Sequence, residues 1–246
     1  MKIVASIEAR MGSTRYPNKM VELIDGKSTL IRVINNIKKV KYINKIILAT
    51  TKNKQDDILC EIAENEKIFF HRGSEENVYK RVAEAHKKME SDVLVTVCGD
   101  CPLIDIGLLE KNIYFFLEKK LDVLGFENKH NYPQGIEFFI FSSKVFYDPL
   151  KKIKDKAHKE HVGLFFLENK KKFKIYKVKG NELNTSYNEI RLQFDYKQDL
   201  DLLNNIFVYF REKNITHFGL RDIINYLNLN PEIKKINSSC KEKSVR

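Results

Sequence analysis

The chain of 246 residues has no tryptophan and only four cysteines, and it lacks any apolar run near the roughly 20 residues that a membrane span needs. The cysteines, at positions 60, 98, 101 and 240, are too few and too scattered for a disulfide framework. No charged leader with an apolar segment precedes the first predicted strand, so we expect no secretory signal. These absences indicate a cytoplasmic protein that spans no membrane.

Acidic residues are fewer than basic ones, with 33 Asp and Glu against 44 Lys and Arg, and the net charge is +11. Such an imbalance is typical of proteins that bind nucleic acid, an acidic membrane surface or an anionic substrate. Most of the excess is lysine clustered within residues 151–159 and 170–174, and such runs usually form solvated faces and turns. We therefore expect an anionic substrate, with neither nucleic acid nor a membrane as a partner.

Apolar runs typical of buried strands alternate with helical periodicity up to about residue 121. Strands are predicted over residues 3–7, 45–50, 68–70, 93–97, 136–141, 173–178 and 190–194. Helices are predicted over residues 28–40, 55–66, 75–89, 106–119, 157–169, around 200–210 and over 217–227. This alternation predicts an α/β fold with a mostly parallel sheet and helices on both faces. We expect one domain over residues 1–236, with an insert at about 125–180, and a flexible tail over 237–246.

A basic loop follows the first predicted strand. It carries Arg10, Arg15 and Lys19 together with Gly12 and Ser13. Glycine allows backbone amides to point at an anion, and arginine forks around phosphate oxygens. The loop lacks the Gly-Lys-Ser/Thr of a Walker A motif and the Gly-x-Gly-x-x-Gly of dinucleotide folds. We interpret it as a triphosphate cradle, the alternative being a basic surface loop.

Two aspartates are candidates for a metal site. Asp100 follows the apolar run of residues 93–97 beside Gly99, and Asp195 follows the predicted strand 190–194. The carboxyl ends of parallel strands meet at one edge of a sheet, where ligands bind. Two carboxylates there can hold Mg²⁺ against a triphosphate. The alternative is that both aspartates are N-caps of the helices that follow.

Cys98 and Cys101 have the C-x-x-C spacing of zinc and redox sites. No second cysteine pair lies at ligand spacing, and Pro102 follows directly, so we interpret them as small residues packed around a tight turn.

Two histidines lie on the predicted helix 157–169. His158 and His161 are three residues apart and share a face, with Glu160 between them. No third metal ligand is evident, and acceptor binding and a plain surface cluster are both open.

Several blocks of the sequence resemble one enzyme family. The opening loop is similar to the signature Ala-Arg-x-x-Ser-x-Arg-x-Pro-x-Lys of cytidylyltransferases that activate acidic sugars, making CMP-sialic acids and CMP-3-deoxy-manno-octulosonate. The nearer resemblance is to the branch named for spore-coat polysaccharide biosynthesis, and it extends from residue 1 to about 210. The other blocks that carry it are Phe70-His71-Arg72-Gly73-Ser74-Glu75-Glu76-Asn77-Val78, Gly99-Asp100-Cys101-Pro102-Leu103-Ile104-Asp105, Asn131-Tyr132-Pro133-Gln134-Gly135-Ile136-Glu137, Glu160-His161-Val162 and Phe194-Asp195-Tyr196-Lys197-Gln198-Asp199-Leu200.

The resemblance implies a Rossmann-like three-layer αβα nucleotidyltransferase fold with an inserted element that helps to dimerise and lines the acceptor pocket. It implies a homodimer that transfers CMP from CTP, with Mg²⁺, to an acidic sugar or phosphorylated acceptor for surface polysaccharide, releasing pyrophosphate. Catalysis and triphosphate binding would fall to Arg10, Arg15, Lys19 and Asp100, with Asp100 and Asp195 on the metal. Nucleotide binding would fall to Met11, Gly12, Ser13, Arg72, Ser74, Asn77 and Gly99. Acceptor binding would fall to Tyr132, Gln134, Glu137, Glu160 and His161.

The chain departs from this family at two places. Cys98 and Cys101 stand where the octulosonate enzymes carry Gln and Glu around Gly-Asp, and Asn18 stands where many relatives have Gly before the lysine. The first departure bears on the identity of the acceptor and leaves the reaction type unchanged.

Two other functions fit parts of the sequence. A metal-dependent glycosyltransferase would use a similar fold, but such enzymes usually carry an Asp-x-Asp pair, and Asp100 is followed by Cys101 and Pro102. A non-catalytic basic binding module predicts tight, salt-sensitive nucleic-acid binding without turnover of CTP.

Overall fold

The computed structural model describes residues 1–127, 130–183 and 185–241, and at its centre lies a seven-stranded sheet. Its strands are β1 Ile3–Glu8, β4 Lys45–Thr51, β5 Phe69–Gly73, β6 Val93–Cys98, β7 Val123–Phe126, β8 Phe138–Ser142 and β9 Ile175–Val178. A separate hairpin consists of β2 Leu23–Ile24 and β3 Lys27–Ser28. The sheet order is β5-β4-β1-β6-β8-β7-β9, and all of its described strands except β8 run in one direction. The mostly parallel sheet predicted from the sequence is confirmed.

Helices cover both faces of this sheet. Their bounds are α1 Thr29–Ile37, α2 Asp57–Asn65, α3 Val78–Lys88, α4 Ile106–Glu118, α5 Ser143–Phe146, α6 Lys156–Glu160, α7 Leu164–Glu168, α8 Lys197–Glu212, α9 Leu220–Leu229 and α10 Pro231–Lys234. On one face α1, α2, α4, α8 and α9 share a core with Ala5 and Ile7 of β1; on the other, α3, α5 and α7 share a core with Val4. This alternation along β1 produces the predicted three-layer αβα fold. In the described part of the chain, no helix is both long and apolar enough to cross a membrane.

The predicted strand 190–194 is wrong. Among the described residues, an isolated bridge between Gln134 and Arg191 is the only β-type pairing of this segment. Its backbone amides bond outside the sheet, since Leu192 N donates to Gln134 O at 2.8 Å and Phe194 N donates to Asp100 O at 2.9 Å. Asp195 therefore does not end a sheet strand.

The predicted helix 157–169 is interrupted. His161 has an extended backbone (φ −107°, ψ 99°), and α7 begins only after Gly163. A Cβ added at Gly163 would lie 2.2 Å from the ring of Phe139, so this glycine allows a close approach that ends α6 and redirects the chain.

Residues 121–180 contribute to the main sheet. Strand β7 was not predicted, because its four residues follow a helix without a turn signal, and β8 pairs antiparallel with both β6 and β7. Residues 125–180, predicted as an insert in a single domain, supply β8, β9 and the end of β7 to that sheet.

The predicted tail begins too early. Asn237 is buried, and its Nδ2 donates to Arg191 O at 2.9 Å and to Asp199 Oδ1 at 2.8 Å. Asn237 is therefore part of the folded structure. Residues 242–246 of the predicted tail lie outside the described residues.

Candidate active site

The loops after β1 and β6 lie side by side at the carboxyl edge of the sheet. From β1 the chain proceeds to β4 and β5 on one side and then crosses to β6 on the other. Gly99 N donates to Glu8 O at 2.8 Å, and a Cβ added at Gly99 would lie 2.9 Å from Ala9 Cβ. Glycine is therefore needed for this close approach. Ligands of open α/β sheets bind at such a switch point.

Lys19 joins the opening loop to both predicted metal ligands. Its Nζ lies 2.5 Å from Asp100 Oδ2 and 2.7 Å from Asp195 Oδ1, and it donates to Phe194 O at 3.0 Å. Burial alone would lower the pKa of Lys19, but the two carboxylates outweigh it and hold this pKa above its ordinary value. The structure thus brings Asp100 and Asp195 together, as the sequence predicted, around a charged lysine.

Asp195 is enclosed by cations. Besides Lys19, its Oδ1 receives Arg15 Nη2 at 2.6 Å, and its Oδ2 receives Arg191 Nη2 at 2.5 Å. The Asp195 side chain is only 2% exposed. Burial alone would raise the pKa of Asp195, but Lys19 and Arg15 lower it below its ordinary value. This carboxylate is therefore ionised, and both of its oxygens are occupied.

Asp199 fixes the residues behind this cluster. Its carboxylate accepts from Arg191 Nε at 3.2 Å and from the backbone amides of Asp195 and Tyr196 at 2.8 and 2.9 Å. Asn237 holds the other side of the same carboxylate. Arg191 is thereby fixed between two aspartates, and its position fixes Asp195 in turn.

The N-cap alternative for the two aspartates is wrong. Tyr196 occupies the N-cap position of α8, where its backbone amide donates to Asp199 in the first turn. Asp105 is the N-cap residue of α4 and accepts from Leu108 N. Asp100 and Asp195 both precede these positions, so their carboxylates are available to the cluster.

Asp100 is the more open carboxylate, with 14% of its side chain exposed. Its Oδ2 contacts Lys19 and accepts from Gln193 Nε2 at 3.3 Å. Its Oδ1 is approached by Cys101 Sγ at 3.7 Å, a weak contact. Asp100 therefore retains acceptor capacity that Asp195 lacks.

The opening loop is held in shape by a buried aspartate. Asp56 Oδ1 accepts from Met11 N at 2.8 Å, and Asp56 also bonds the hydroxyl of Thr51 at the end of β4. Ser13 N donates to Met11 O at 2.8 Å, so this amide is used within the loop. Asn18 has φ +62°, a left-handed conformation that explains why glycine or asparagine suits the position before Lys19.

Arg10 lies in a second polar cluster. Its Nη1 is 3.5 Å from Glu75 Oε1, whereas Arg15 and Lys19 contact Asp195. A Cβ added at Gly12 would also lie 3.7 Å from Glu75 Oε1, so the loop spans both clusters.

The residues predicted to bind cytidine lie beside this second cluster. Arg72, on the edge strand β5, donates to Thr51 O at 2.9 Å and pairs with Asp57 at 2.5 Å. Ser74 Oγ accepts from Asn77 N at 3.1 Å, and Asn77 caps α3 through Lys80 N. These side chains shape the rim of the site, and their contact with a nucleotide stays a prediction.

Some predicted acceptor residues border Asp100. Gln134 O accepts from Leu192 N, within the segment that leads to Asp195. Glu137 stands next to Phe138, which pairs with Val97, so it faces the end of β6; its Oε1 lies 3.1 Å from His130 Nε2. Gln134 therefore lies beside the segment that leads to Asp195, and Glu137 lies near the end of β6. Their contact with an acceptor stays a prediction.

Other predicted acceptor residues lie elsewhere. Tyr132 is buried in the main core, and its hydroxyl contacts Glu182 Oε1 at 2.5 Å, which indicates a packing role. Glu160 and His161 are exposed at the end of α6, which packs against α3 and α7. Their contact with an acceptor stays a prediction.

The donor chemistry fits a metal that arrives with a phosphate ligand. Mg²⁺ takes one or two carboxylates and completes its shell with water and phosphate oxygens. Asp100 Oδ1 has only the weak contact with Cys101 Sγ, whereas Asp195 Oδ1 is occupied by Lys19 and Arg15 and would be free for a metal only if these cations bound another anion. In residues 1–127, 130–183 and 185–241, no group of three or more His, Cys, Asp or Glu side chains is arranged to hold a metal alone.

Several residues of the site escaped the sequence interpretation. Arg191 and Gln193 alternate with buried Leu192 and Phe194, so the period of two could have placed them on the same side of the segment as the predicted ligand Asp195. Glu8, at the end of β1, carried no motif; burial raises its pKa to about 7, against the opposing effect of Arg81. Perturbed carboxyl groups of this kind cluster at functional sites.

Comparison with known proteins supplies the family. A family model described as cytidylyltransferase matches residues 4–221. A 3-deoxy-manno-octulosonate cytidylyltransferase of Flavobacterium johnsoniae is 26% identical over 204 residues, covering 76% of this chain and 82% of the relative. A spore coat polysaccharide biosynthesis protein of Bacillus subtilis is 24% identical over 236 residues, covering 94% and 95%. A solved cytidylyltransferase structure from Leptospira borgpetersenii matches with a TM-score of 0.88 at 26% identity, covering 99% of both chains. The chain therefore belongs to the cytidylyltransferase family.

Proposed function

We propose that the chain transfers CMP from CTP to a hydroxyl group of an acidic sugar or related acceptor, releasing pyrophosphate, for surface polysaccharide biosynthesis. The observation that carries this proposal is the cluster in which Lys19 and Arg15 of the opening loop meet Asp100 and Asp195 at the switch point. These cations can exchange carboxylate for phosphate contacts. The octulosonate and spore-coat relatives support the acceptor class.

The mechanism needs positioning and charge neutralisation rather than covalent catalysis. An acceptor oxygen attacks the α-phosphorus of CTP in line, and pyrophosphate leaves. Lys19 and Arg15 turn from Asp195 to the triphosphate, and Arg10 approaches it from the side of Glu75. Donors fixed before reaction stabilise the charge that develops on the leaving group. Among the residues that the structure describes, no side chain stands out as an obligatory general base.

Mg²⁺ is the proposed cofactor. Asp100 and Asp195 would hold it once Lys19 and Arg15 contact the triphosphate, and the ion would offset charge on the reacting phosphate. Chelation with EDTA is expected to stop pyrophosphate release and added Mg²⁺ to restore it. Turnover that continues in EDTA would contradict the cofactor assignment.

The test of the reaction is pyrophosphate release from CTP and Mg²⁺ across a panel of acidic sugars and phosphorylated polyols. We expect release with CTP only when a member of the panel is present, and little with ATP in place of CTP. Consumption of a CMP-sugar without pyrophosphate chemistry would instead support a glycosyltransferase.

The substitution Arg15→Ala is expected to weaken CTP binding. Each lost hydrogen bond to a charged group is worth about 1.5–3 kcal/mol, or roughly 10- to 150-fold in affinity. Calorimetric titration of CTP measures the change, and Lys156→Ala is the matched control because Lys156 is an exposed cation on α6. Equal CTP affinity in Arg15→Ala and the control would remove Arg15 from the phosphate site.

The basic surface is expected to bind nucleic acid only weakly. Lysine runs that neutralise phosphates without a built site lose affinity steeply as salt rises. We expect generic duplex DNA to dissociate near physiological salt in a fluorescence anisotropy titration. Nanomolar, sequence-dependent binding there would favour the binding module.

Assembly and location complete the proposal. The four cysteines are free thiols, which fits a reducing cytoplasm. A homodimer is expected, and its mass can be measured by sedimentation of the full chain.

A further inference from the structure

The turn after β6 carries two thiols on either side of Asp100. Cys98 is the last residue of β6, and Cys101 N donates to Cys98 O at 3.2 Å, which closes a four-residue turn. The first and last Cα atoms of such a turn lie within about 7 Å, and disulfides join Cα atoms about 4.4–6.8 Å apart. The backbone therefore already holds the two cysteines near the spacing of a disulfide.

The two side chains differ in access. Cys98 is exposed, whereas Cys101 is buried. The two thiols therefore lie at the two ends of one tight turn, with one open to solvent and its partner buried.

We propose that Cys98 and Cys101 form a reversible disulfide, which makes this turn an oxidation site at the edge of the active site. A hydroperoxide is the class of oxidant that suits an exposed thiol with a shielded partner, since the exposed sulfur reacts first and the partner resolves it. The tight turn expected from the sequence is thus also a dithiol.

The chemistry balances with one hydroperoxide per disulfide. The sulfur of Cys98 attacks the terminal peroxide oxygen, the O–O bond breaks, and the alcohol leaves with the thiol proton, giving a sulfenic acid. The sulfur of Cys101 then attacks the Cys98 sulfur, and water leaves as the S–S bond forms. The thiols lose two electrons and two protons, and the hydroperoxide becomes an alcohol and water.

The bond would disturb Asp100 directly. A disulfide is about 2 Å long, so the two sulfur atoms must approach well inside their contact distance. Cys101 Sγ would leave Asp100 Oδ1, now 3.7 Å away, and the turn that holds Asp100 against Lys19 would tighten. Small misplacements of catalytic groups are costly, so we expect the disulfide to suppress turnover. This last step rests on the proposed function, whereas formation of the disulfide does not.

The remaining cysteines provide a clean background. Cys60 is buried on α2, and Cys240 lies near the end of the described chain. The full chain carrying Cys60→Ser and Cys240→Ser therefore leaves Cys98 and Cys101 as the only thiols.

The experiment treats this double variant with excess tert-butyl hydroperoxide, alkylates it and maps its peptides by mass spectrometry. We expect the peptide with both cysteines to lose two hydrogen masses, to escape alkylation and to recover on reduction with dithiothreitol. Cys98→Ser and Cys101→Ser in the same background should show no such mass change. Two fully alkylated thiols after treatment, or a disulfide only between two chains, would overturn the proposal.

Measuring activity distinguishes the formation of the disulfide from its expected effect on turnover. With an acceptor in hand, we expect oxidation to lower pyrophosphate release by about 100-fold, as misplaced catalytic groups can, with recovery on reduction and no loss in Cys98→Ser relative to its own untreated rate. An oxidised protein with full activity would overturn the suppression of turnover. If mass spectrometry shows the disulfide after oxidation but the reduced protein has no turnover, the result would count against the proposed function alone.

Discussion

The substitution Asp195→Asn is expected to lower the free energy of unfolding by about 3–5 kcal/mol, the range for breaking a buried ion pair. Its side chain is 2% exposed and takes Arg15 and Lys19 on one oxygen and Arg191 on the other. The amide keeps the shape and removes the charge, which leaves buried cations short of a partner. Urea unfolding of the wild type and the variant measures the loss.

The matched control for this prediction is Asp201→Asn. Asp201 pairs with Lys197 at 2.7 Å, as close as Asp195 to Lys19, but its side chain is 45% exposed. Exposed pairs contribute at most about 1 kcal/mol, so this variant should be close to wild type. Similar stability losses in the two variants would show that burial does not govern the cluster. If Asp195 capped a helix, Asp195→Asn would cost little stability, because asparagine caps a helix about as well as aspartate. Asp195 does not have that role, since Tyr196 is the N-cap residue of α8.

Asp100→Asn is expected to reduce turnover by about 10²–10³-fold, comparable to the removal of one preorganised electrostatic contact in an active site. Its stability loss should be smaller than that of Asp195→Asn, because Asp100 is partly exposed and Lys19 keeps Asp195 and Phe194 O. Steady-state pyrophosphate release, read beside the unfolding midpoint, separates the catalytic effect from the structural one.

The double variant Asp100→Asn/Asp195→Asn makes this prediction sharper. If both carboxylates serve one metal, the double variant should lose little more turnover than the worse single variant. Losses that multiply would mean that the two aspartates act independently. Normal turnover of folded Asp100→Asn at low Mg²⁺ would remove Asp100 from the reaction.

The fold could be predicted because its signals are local. Short apolar runs located β1, β4 and β6, and helical periodicity located the helices between them. Ser28 was recognised as the N-cap of α1. The strand predicted over residues 190–194 failed because its alternation has another origin. Arg191 and Gln193 face the site because their carboxylate partners Asp195 and Asp100 lie there. In the described part of the chain, no sheet strand pairs with the backbone of this segment.

The sequence identified cations and carboxylates of the site, but it did not show which of them contact each other. The bond from Phe194 N to Asp100 O docks the segment of Asp195 beside Asp100, so that both carboxylates reach Lys19. Two residues 95 positions apart give no local sign of that contact. Asp56 lies in none of the quoted blocks, and Asp199 lies in one of them without an assigned role. Each acts by accepting hydrogen bonds from backbone amides, which the sequence does not reveal. Such second partners depend on tertiary structure alone.

The most direct test of the site is CTP binding to wild type and to Lys19→Met in Mg²⁺, measured by calorimetric titration. Lys19 is the group that links the opening loop to Asp100 and Asp195. The proposal predicts one CTP per chain in the wild type and an affinity about 10- to 150-fold lower in folded Lys19→Met, from the loss of a charged contact of about 1.5–3 kcal/mol. Equal CTP affinity in the two proteins, or no CTP binding to the wild type, would contradict it.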